Sequence, residues 1–238
     1  MISTKKMNVP NRWLALALLI GLYACNKKDN ILPAAANTVT DIDGNVYRFV
    51  TIGKQIWMAE NLKTTQYNNK TKIQDGQNDA AWENNKNDKI GAYCWYNRKN
   101  GRPDSLAKEY GRLYTFYAVK TGNLCPTGWH VPDRKDWQVL ADTLSAIGLD
   151  YVSVLRDKKW TGTKANNVTG FSSLPSGYRV NRSFNDIGKE AYYWLSEVYS
   201  DTTSYAIELE NDPQQLVGRS IKWYYYKHGG FAVRCVKD

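Results

Sequence analysis

CPTGWHVPDRKDWQVL, residues 125–140, puts a cysteine, a Gly-Trp-His-Val-Pro turn and the start of an amphipathic helix in one line. Asp133 suits an N-cap, and Asp136 stands three positions on, a capping-box variant in which two carboxylates answer two orphan N–H groups. Pro132 lies just outside the helix, where its missing N–H costs little. Trp137, Leu140, Leu144 and Ile147 recur at i, i+3, i+7 and i+10 and predict one apolar stripe. Gly148 is placed to end the helix. A second helical pattern, 111–121, precedes this one, with Leu113, Tyr114, Tyr117 and Ala118 on one face and Gly122 at its end.

Working outward, Asp43-Gly44 and Gly53-Lys54 are turn signals. They bracket a β-prone run (Val46, Phe49, Val50, Ile52) and the returning Ile56-Trp57-Met58, which predicts an N-terminal hairpin. Residues 68–91 are rich in Asn, Asp and Lys and read as an exposed excursion carrying Trp82. AYCWYN (92–97) is aromatic and strand-like. Beyond residue 155 the helical pattern fades into glycine-punctuated loops, and three strand-like runs, 191–195, 204–209 and 231–236, close the chain. This order of elements is α+β, not alternating βαβ.

The first 24 residues read as an export signal. Lys5, Lys6 and Arg12 precede WLALALLIGLYA (13–24), an apolar run of 12 residues, short of the roughly 20 that span a bilayer. Leu22-Tyr23-Ala24-Cys25 resembles a bacterial lipobox, in which cleavage falls before Cys25 and its thiol carries the lipid; Tyr23 is unusual there. The alternative is an ordinary signal peptide that contains a cysteine. The expected organisation is a signal peptide over 1–24, a tether over 25–40 and one domain over 41–238. The membrane, met through the N-terminal lipid, is then a partner, and the cell envelope, with the outer membrane, is the location. Removing 1–24 takes away Lys5, Lys6 and Arg12, so the formal charge falls from +9 to +6. The remaining charges are interspersed, the pattern of a solvated surface, and nucleic acid is not an expected partner.

Cys94, Cys125 and Cys235 remain after Cys25. None forms a close CxxC pair, which argues against a zinc ribbon. An oxidising compartment favours one disulfide and one spare thiol. Spacing alone leaves open which two pair.

Six stretches in order carry a family resemblance: DIDGNVYRFVTIGKQIWMAENLK (41–63), AYCWYN (92–97), GRLYTFYAV (111–119), CPTGWHVPDRKDWQVL (125–140), GFSSLPSGYR (170–179) and GFAVRCV (230–236). They resemble the signature blocks of the Fibrobacter succinogenes major paralogous domain, a family of exported or lipid-anchored proteins of Bacteroidetes-like bacteria. The resemblance implies a C-type-lectin-like domain of two helices, a small, mostly antiparallel sheet and long loops. It also implies a Cys125–Cys235 disulfide joining the segment before the second helix to the last strand, with Cys94 left as a buried thiol. A distant relative of that fold, the formylglycine-generating enzymes, works through reactive cysteines or copper. Two neighbouring thiols in the C-terminal half would be needed, and only Cys235 lies beyond residue 125.

Residues that could carry chemistry are few. Of the two histidines, His130 is expected to fix its turn by a hydrogen bond, and His228, beside Gly229-Gly230, is a turn residue. No HExxH, G-x-S-x-G or Walker loop is present. The Glu-Pro-Asn, Gln-Pro-Asp and Trp-Asn-Asp motifs of calcium-dependent sugar-binding lectins are missing, and Glu210-Asn211-Asp212-Pro213 reads as a turn. Glu208 and Glu210 share a strand face and read as a solvated edge. No metal and no cofactor is therefore expected.

The chain holds 17 Tyr and 9 Trp, residues that stack on sugar rings and anchor protein interfaces. Trp57, Trp129 and Trp137 lie in the signature blocks and, with Trp194 in the strand-like run 191–195, read as core. Trp82, Trp160, Trp223 and Tyr224 lie in polar stretches and are the candidate ligand-contact residues, with the site expected on the loops 156–190 and 210–228. The expected function is that of a non-catalytic, lipid-anchored surface module binding a glycan or another surface protein. The alternative is a structural or assembly component of a surface appendage.

Overall fold

The computed structural model describes residues 37–96, 103–160, 165–210 and 223–238. These fall in one contact unit, Ala36–Asp238. The expected signal peptide (1–24), Cys25 and most of the expected tether lie outside the described residues. In chain order the elements are β1 (Thr38–Thr40), β2 (Val46–Ile52), β3 (Gln55–Met58), β4 (Gln74–Asp75), α1 (Asp79–Asn87), β5 (Ala92–Cys94), α2 (Pro103–Tyr110), β6 (Leu113–Tyr114) and α3 (Phe116–Val119). Then come β7 (Trp129–His130), α4 (Arg134–Ala146), α5 (Tyr151–Leu155), β8 (Ser176–Val180), β9 (Ser183–Ile187), β10 (Ala191–Val198), β11 (Thr203–Leu209), β12 (Trp223–Tyr226) and β13 (Val236–Lys237). The fold is mixed α/β and mostly sheet. The sheets run β1-β2-β3-β13-β7, β12-β11-β10-β8-β9 and β4-β5-β6. Most pairs are antiparallel, while β10 with β8 and β4 with β5 are parallel.

Two apolar clusters make the core, and β10 lies between them. Ala191, Tyr193 and Leu195 enter one cluster with Trp57, Trp137 and Ile207. Tyr192 and Trp194 enter the other with Phe116, Trp129 and Phe231. A strand with apolar residues on both faces is what a doubly covered position requires. The C-terminal segment repeats the arrangement: Phe231, Val233 and Cys235 belong to the second cluster, Ala232 and Val236 to the first. Alternation in 231–236 predicts one inward face; both faces are buried. The segment also threads the three sheets together, with Gly230 bridging to Arg179, Phe231 to Tyr114, Ala232 to Tyr193, and Val236 to both Trp57 and His130.

The opening stretch behaves largely as its pattern predicts. Asp133 caps α4 through the Asp136 N–H, and the Asp136 carboxylate returns the bond to the Asp133 N–H. Trp137, Leu140 and Leu144 are buried, whereas Ile147 is exposed as the C-cap residue. Gly148 adopts φ of 74°. Cys125 and Cys235 are bonded, with Cα atoms 6.0 Å apart across 110 residues. Cys94 is a free, buried thiol, pushed up to about 12 by burial, which Arg179 partly opposes.

The helical reading of 111–121 is corrected. Gly111 takes φ of 78° against Asn61 and Leu62, so the chain turns before it can coil. Leu113 and Tyr114 pair with Cys94 and Tyr93. The Thr115 hydroxyl accepts from Ala92 N–H at 3.0 Å, and only the four-residue α3 follows. Sheet pairing overrides a local helical period. The tether boundary also moves, because Thr38–Thr40 pairs with β2.

The excursion over 68–91 contains strand β4 and helix α1, and its tryptophan is core. Trp82 is 1 % exposed. Gly76 and Gly230 lie against its ring; a Cβ on Gly76 would come within 2.6 Å of it. The Arg179 guanidinium stacks 4.5 Å from its centre and donates to Gly76 O at 2.6 Å and Asp79 Oδ1 at 2.8 Å.

Candidate functional site

The four candidate ligand residues separate. Trp82 and Trp160 are corrected to core residues. Trp160 is buried, donates its indole N–H to Ser173 O at 2.6 Å and lies under Arg156. Both sit among polar neighbours in sequence, but a local polar stretch does not say which ring the fold covers. Trp223 starts β12 with its backbone opposite Ala206; its side chain lies outside the described residues. Tyr224 is 51 % exposed.

Tyr224 belongs to a surface that the sequence indicated only in part. β12 is an extended Trp-Tyr-Tyr-Tyr run, so its period of two puts Tyr224 and Tyr226 on one side and Tyr225 on the other. Tyr226 is 60 % exposed, and Tyr199, just beyond β10, is 50 % exposed. The Tyr199 and Tyr224 rings stack in parallel, with centroids 4.0 Å apart and planes at 5°. Tyr205, on β11 opposite Tyr224 of β12, meets Tyr199 edge-on at 5.3 Å. Arg134, the first residue of α4, stacks 4.4 Å over Tyr205 and is held there by Glu197 at 2.9 Å. Tyr226 stacks on His228 at 5.3 Å.

Buried polar groups behind it set the platform's position. Lys227 is buried, and its ammonium donates to Ser200 O at 2.6 Å and Asp201 O at 3.0 Å, tying the end of β12 to the β10–β11 turn. Burial lowers its pKa, helped by Lys120 and Lys89 nearby. On the inner side Tyr225 donates to Glu208 at 2.5 Å. Of the expected loop 210–228, residues 223–228 carry Tyr224 and Tyr226 of this platform, while 211–222, including most of Glu210-Asn211-Asp212-Pro213, lies outside the described residues. The loop 156–190 instead contributes Trp160 to the core and the β8–β9 hairpin to the sheet. Tyr199, Tyr205 and Tyr226 are absent from the sequence reading. The period of β12 could have supplied Tyr226; nothing local marks Tyr199.

A depression of about 200 Å³ lies beside β1 and the Cys125 loop, lined by Thr40, Asp41, Thr64, Gln66 and Pro126. Its carboxylate is committed: Asp41 accepts from Asp43 N, Asn45 N and Tyr47 Oη. Neighbouring Asp43 accepts from Thr65 and Gln66. Among the described residues no group of three or more His, Cys, Asp or Glu side chains converges to hold a metal ion.

His130 has both ring nitrogens against carboxylates, Asp238 at 2.6 Å and Asp136 at 3.1 Å. Two acceptors call for two N–H donors, so the arrangement favours the imidazolium over the neutral ring. Burial alone would lower its pKa, but the bonds to Asp238 and Asp136 raise it. A raised folded value means the contribution is full below the unfolded pKa, about 6.5, and is lost as pH rises through the folded value. Melting of the protein should therefore show a small loss of stability above pH 6.5 that His130→Gln removes; an unchanged slope in that variant would discount the ion pairs.

The geometry defines a mixed α/β domain with an aromatic surface platform. The Fibrobacter succinogenes major domain model matches residues 50–237, and the chain belongs to that family. Comparison with curated proteins and with solved structures gives no match.

Proposed function

We propose that this is a non-catalytic binding module of the cell envelope, anchored through a lipid on Cys25, and that Tyr199, Tyr205, Tyr224 and Tyr226 form its ligand surface. The parallel Tyr199–Tyr224 stack, with both rings half-exposed, is the observation that carries it. Exposed aromatic faces leave apolar area and π-density open to a sugar ring or to a partner's side chain. The reading takes the domain as C-type-lectin-like, in keeping with a hairpin near the N-terminus that meets the last strand and a disulfide that joins Cys235, just before that strand, to the segment before the main helix. The ligand is a glycan or another surface protein. Binding by the full chain to glycan arrays and to envelope extracts should fall at least tenfold, about 1.4 kcal/mol, in Tyr199→Ala/Tyr224→Ala. Undiminished binding by that variant, with its melting unchanged, would sink the platform.

A second reading has one observation of its own. Among the described residues β12 stands at the end of its sheet, so a partner strand could add beside the tyrosines. A stoichiometric protein recovered with the lipid-anchored chain from solubilised membranes, with no retained glycan, would mark an assembly component instead.

A further inference from the structure

On the other side of β12 from the platform, two carboxylates and two phenols sit within hydrogen-bond reach. Tyr192 Oη lies 2.5 Å from Glu190 Oε2 and 2.8 Å from Glu208 Oε1. Tyr225 Oη lies 2.5 Å from Glu208 Oε2. Three oxygen–oxygen contacts need three protons. Each phenol brings one, and an ionised carboxylate brings none. The Tyr225 proton goes to Glu208, and the Tyr192 proton goes to one glutamate. The remaining contact would set phenol lone pairs against carboxylate lone pairs, unless that carboxyl is a neutral acid and donates to Tyr192.

The surroundings favour that extra proton. Tyr192 is buried and walled by Tyr178 at 4.7 Å, Phe231 at 5.2 Å and Tyr225 at 5.6 Å. Tyr178 and Asp186 face the pair from β8 and β9, Glu210 from the end of β11, and Lys189 stands beside Glu190. Burial raises the Glu190 pKa, Asp186 and Glu208 add to the rise, and Tyr192 and Lys189 oppose it. The Tyr192 and Tyr225 phenols are raised by burial and by these glutamates, so they keep their own protons.

We propose that Glu190 and Glu208 share one proton through Tyr192, forming a latch that is closed when protonated and loosened by its loss. The latch fastens the chain after β9 to β11 and, through Tyr225, to β12, the strand that carries Tyr224 and Tyr226. Its pH sense is opposite to that of an ordinary salt-bridged carboxylate. The folded state holds the proton more tightly than the unfolded chain, so the contribution is full below about pH 4.3 and is lost as pH rises through the raised folded value.

Glu190→Gln tests this in the full chain. The amide N–H fills the third contact without titrating, and Tyr192 then donates to Glu208. The melting temperature of the variant minus that of the native chain should increase from pH 4.5 to pH 8. The expected increase is about 3–5 °C for each unit by which Glu190 is raised. The His130 slope is common to both proteins and cancels in the difference. Carboxyl carbon resonances should show one glutamate of the native pair titrating above the usual range. Glu208→Gln, which donates to Tyr192 and still accepts from Tyr225, should behave the same way and serves if the first variant folds poorly. Ordinary titration of both carboxyls, or a melting difference that does not change with pH, overturns the latch.

Discussion

Replacing Cys125 and Cys235 together by serine should lower the unfolding midpoint by about 2 M urea. The bond joins residues 110 apart, and closing a loop of that length removes about 4–5 kcal/mol of chain entropy from the unfolded state. The consequence should be local as well as global. Cys235 sits where the last segment passes from Tyr114 and Tyr193 to Trp57 and His130. Amide exchange in β13, β7 and the neighbouring end of β3 should therefore accelerate most. Reduction of the native chain should reproduce the shift, and reduction of the double serine variant should do nothing. A shift below about 1 kcal/mol would mean that packing around 230–237, without the cross-link, holds the segment.

Arg234→Met should cost about 3–5 kcal/mol, measured as the denaturation midpoint, although it places an apolar side chain in an apolar core. Arg234 is 1 % exposed. Its Nε and Nη2 donate to Asn61 Oδ1 at 3.1 and 2.5 Å, Nη2 also reaches Ser172 O at 3.3 Å, and Nη1 donates to Phe171 O. The guanidinium stacks 4.4 Å from Phe171 and 5.4 Å from Tyr193. Amide and carbonyl dipoles together with two ring faces receive the charge. Burial lowers its pKa, yet a guanidinium stays protonated. Methionine would leave three acceptors buried without donors. Lysine offers a point charge in place of a planar fork and should rescue less than half of the loss. A methionine variant as stable as the native chain would show that Asn61 and the 171–172 turn find other partners.

Among the described residues the two arginines buried most completely, Arg179 and Arg234, went unread in the sequence, although each lies in a signature block. A charged residue in a strand-like run looks like a solvent-facing position, because local alternation carries no information about what covers the second face. The tryptophans failed in the same way. Trp57, Trp129, Trp137 and Trp194 were read as core and are buried; Trp82 and Trp160, read as exposed from their polar surroundings, are buried too. Covering Trp82 needs Gly230 and Arg179, roughly 100 to 150 positions away in the chain. Tyr224 was singled out for its polar surroundings, but Tyr199 becomes its stacking partner only when the β10–β11 turn folds back.

Local interactions were enough to write α4 into the chain: Asp133, Asp136, Gly148 and the Trp137-Leu140-Leu144 stripe act over at most a few turns, and their physics is complete within 16 residues. The N-terminal hairpin is of the same kind, since its turns and its β-prone runs adjoin. The order of its signature blocks carried the family, and with it the Cys125–Cys235 bond. The break in 111–121, the burial of both faces of 231–236, the Glu190–Tyr192–Glu208 contact and the tyrosine platform were decided by tertiary structure alone. Each depends on strands distant in sequence arriving side by side, and hydrogen-bond demand and burial at those meetings outweigh the few tenths of a kcal/mol per residue in local propensity.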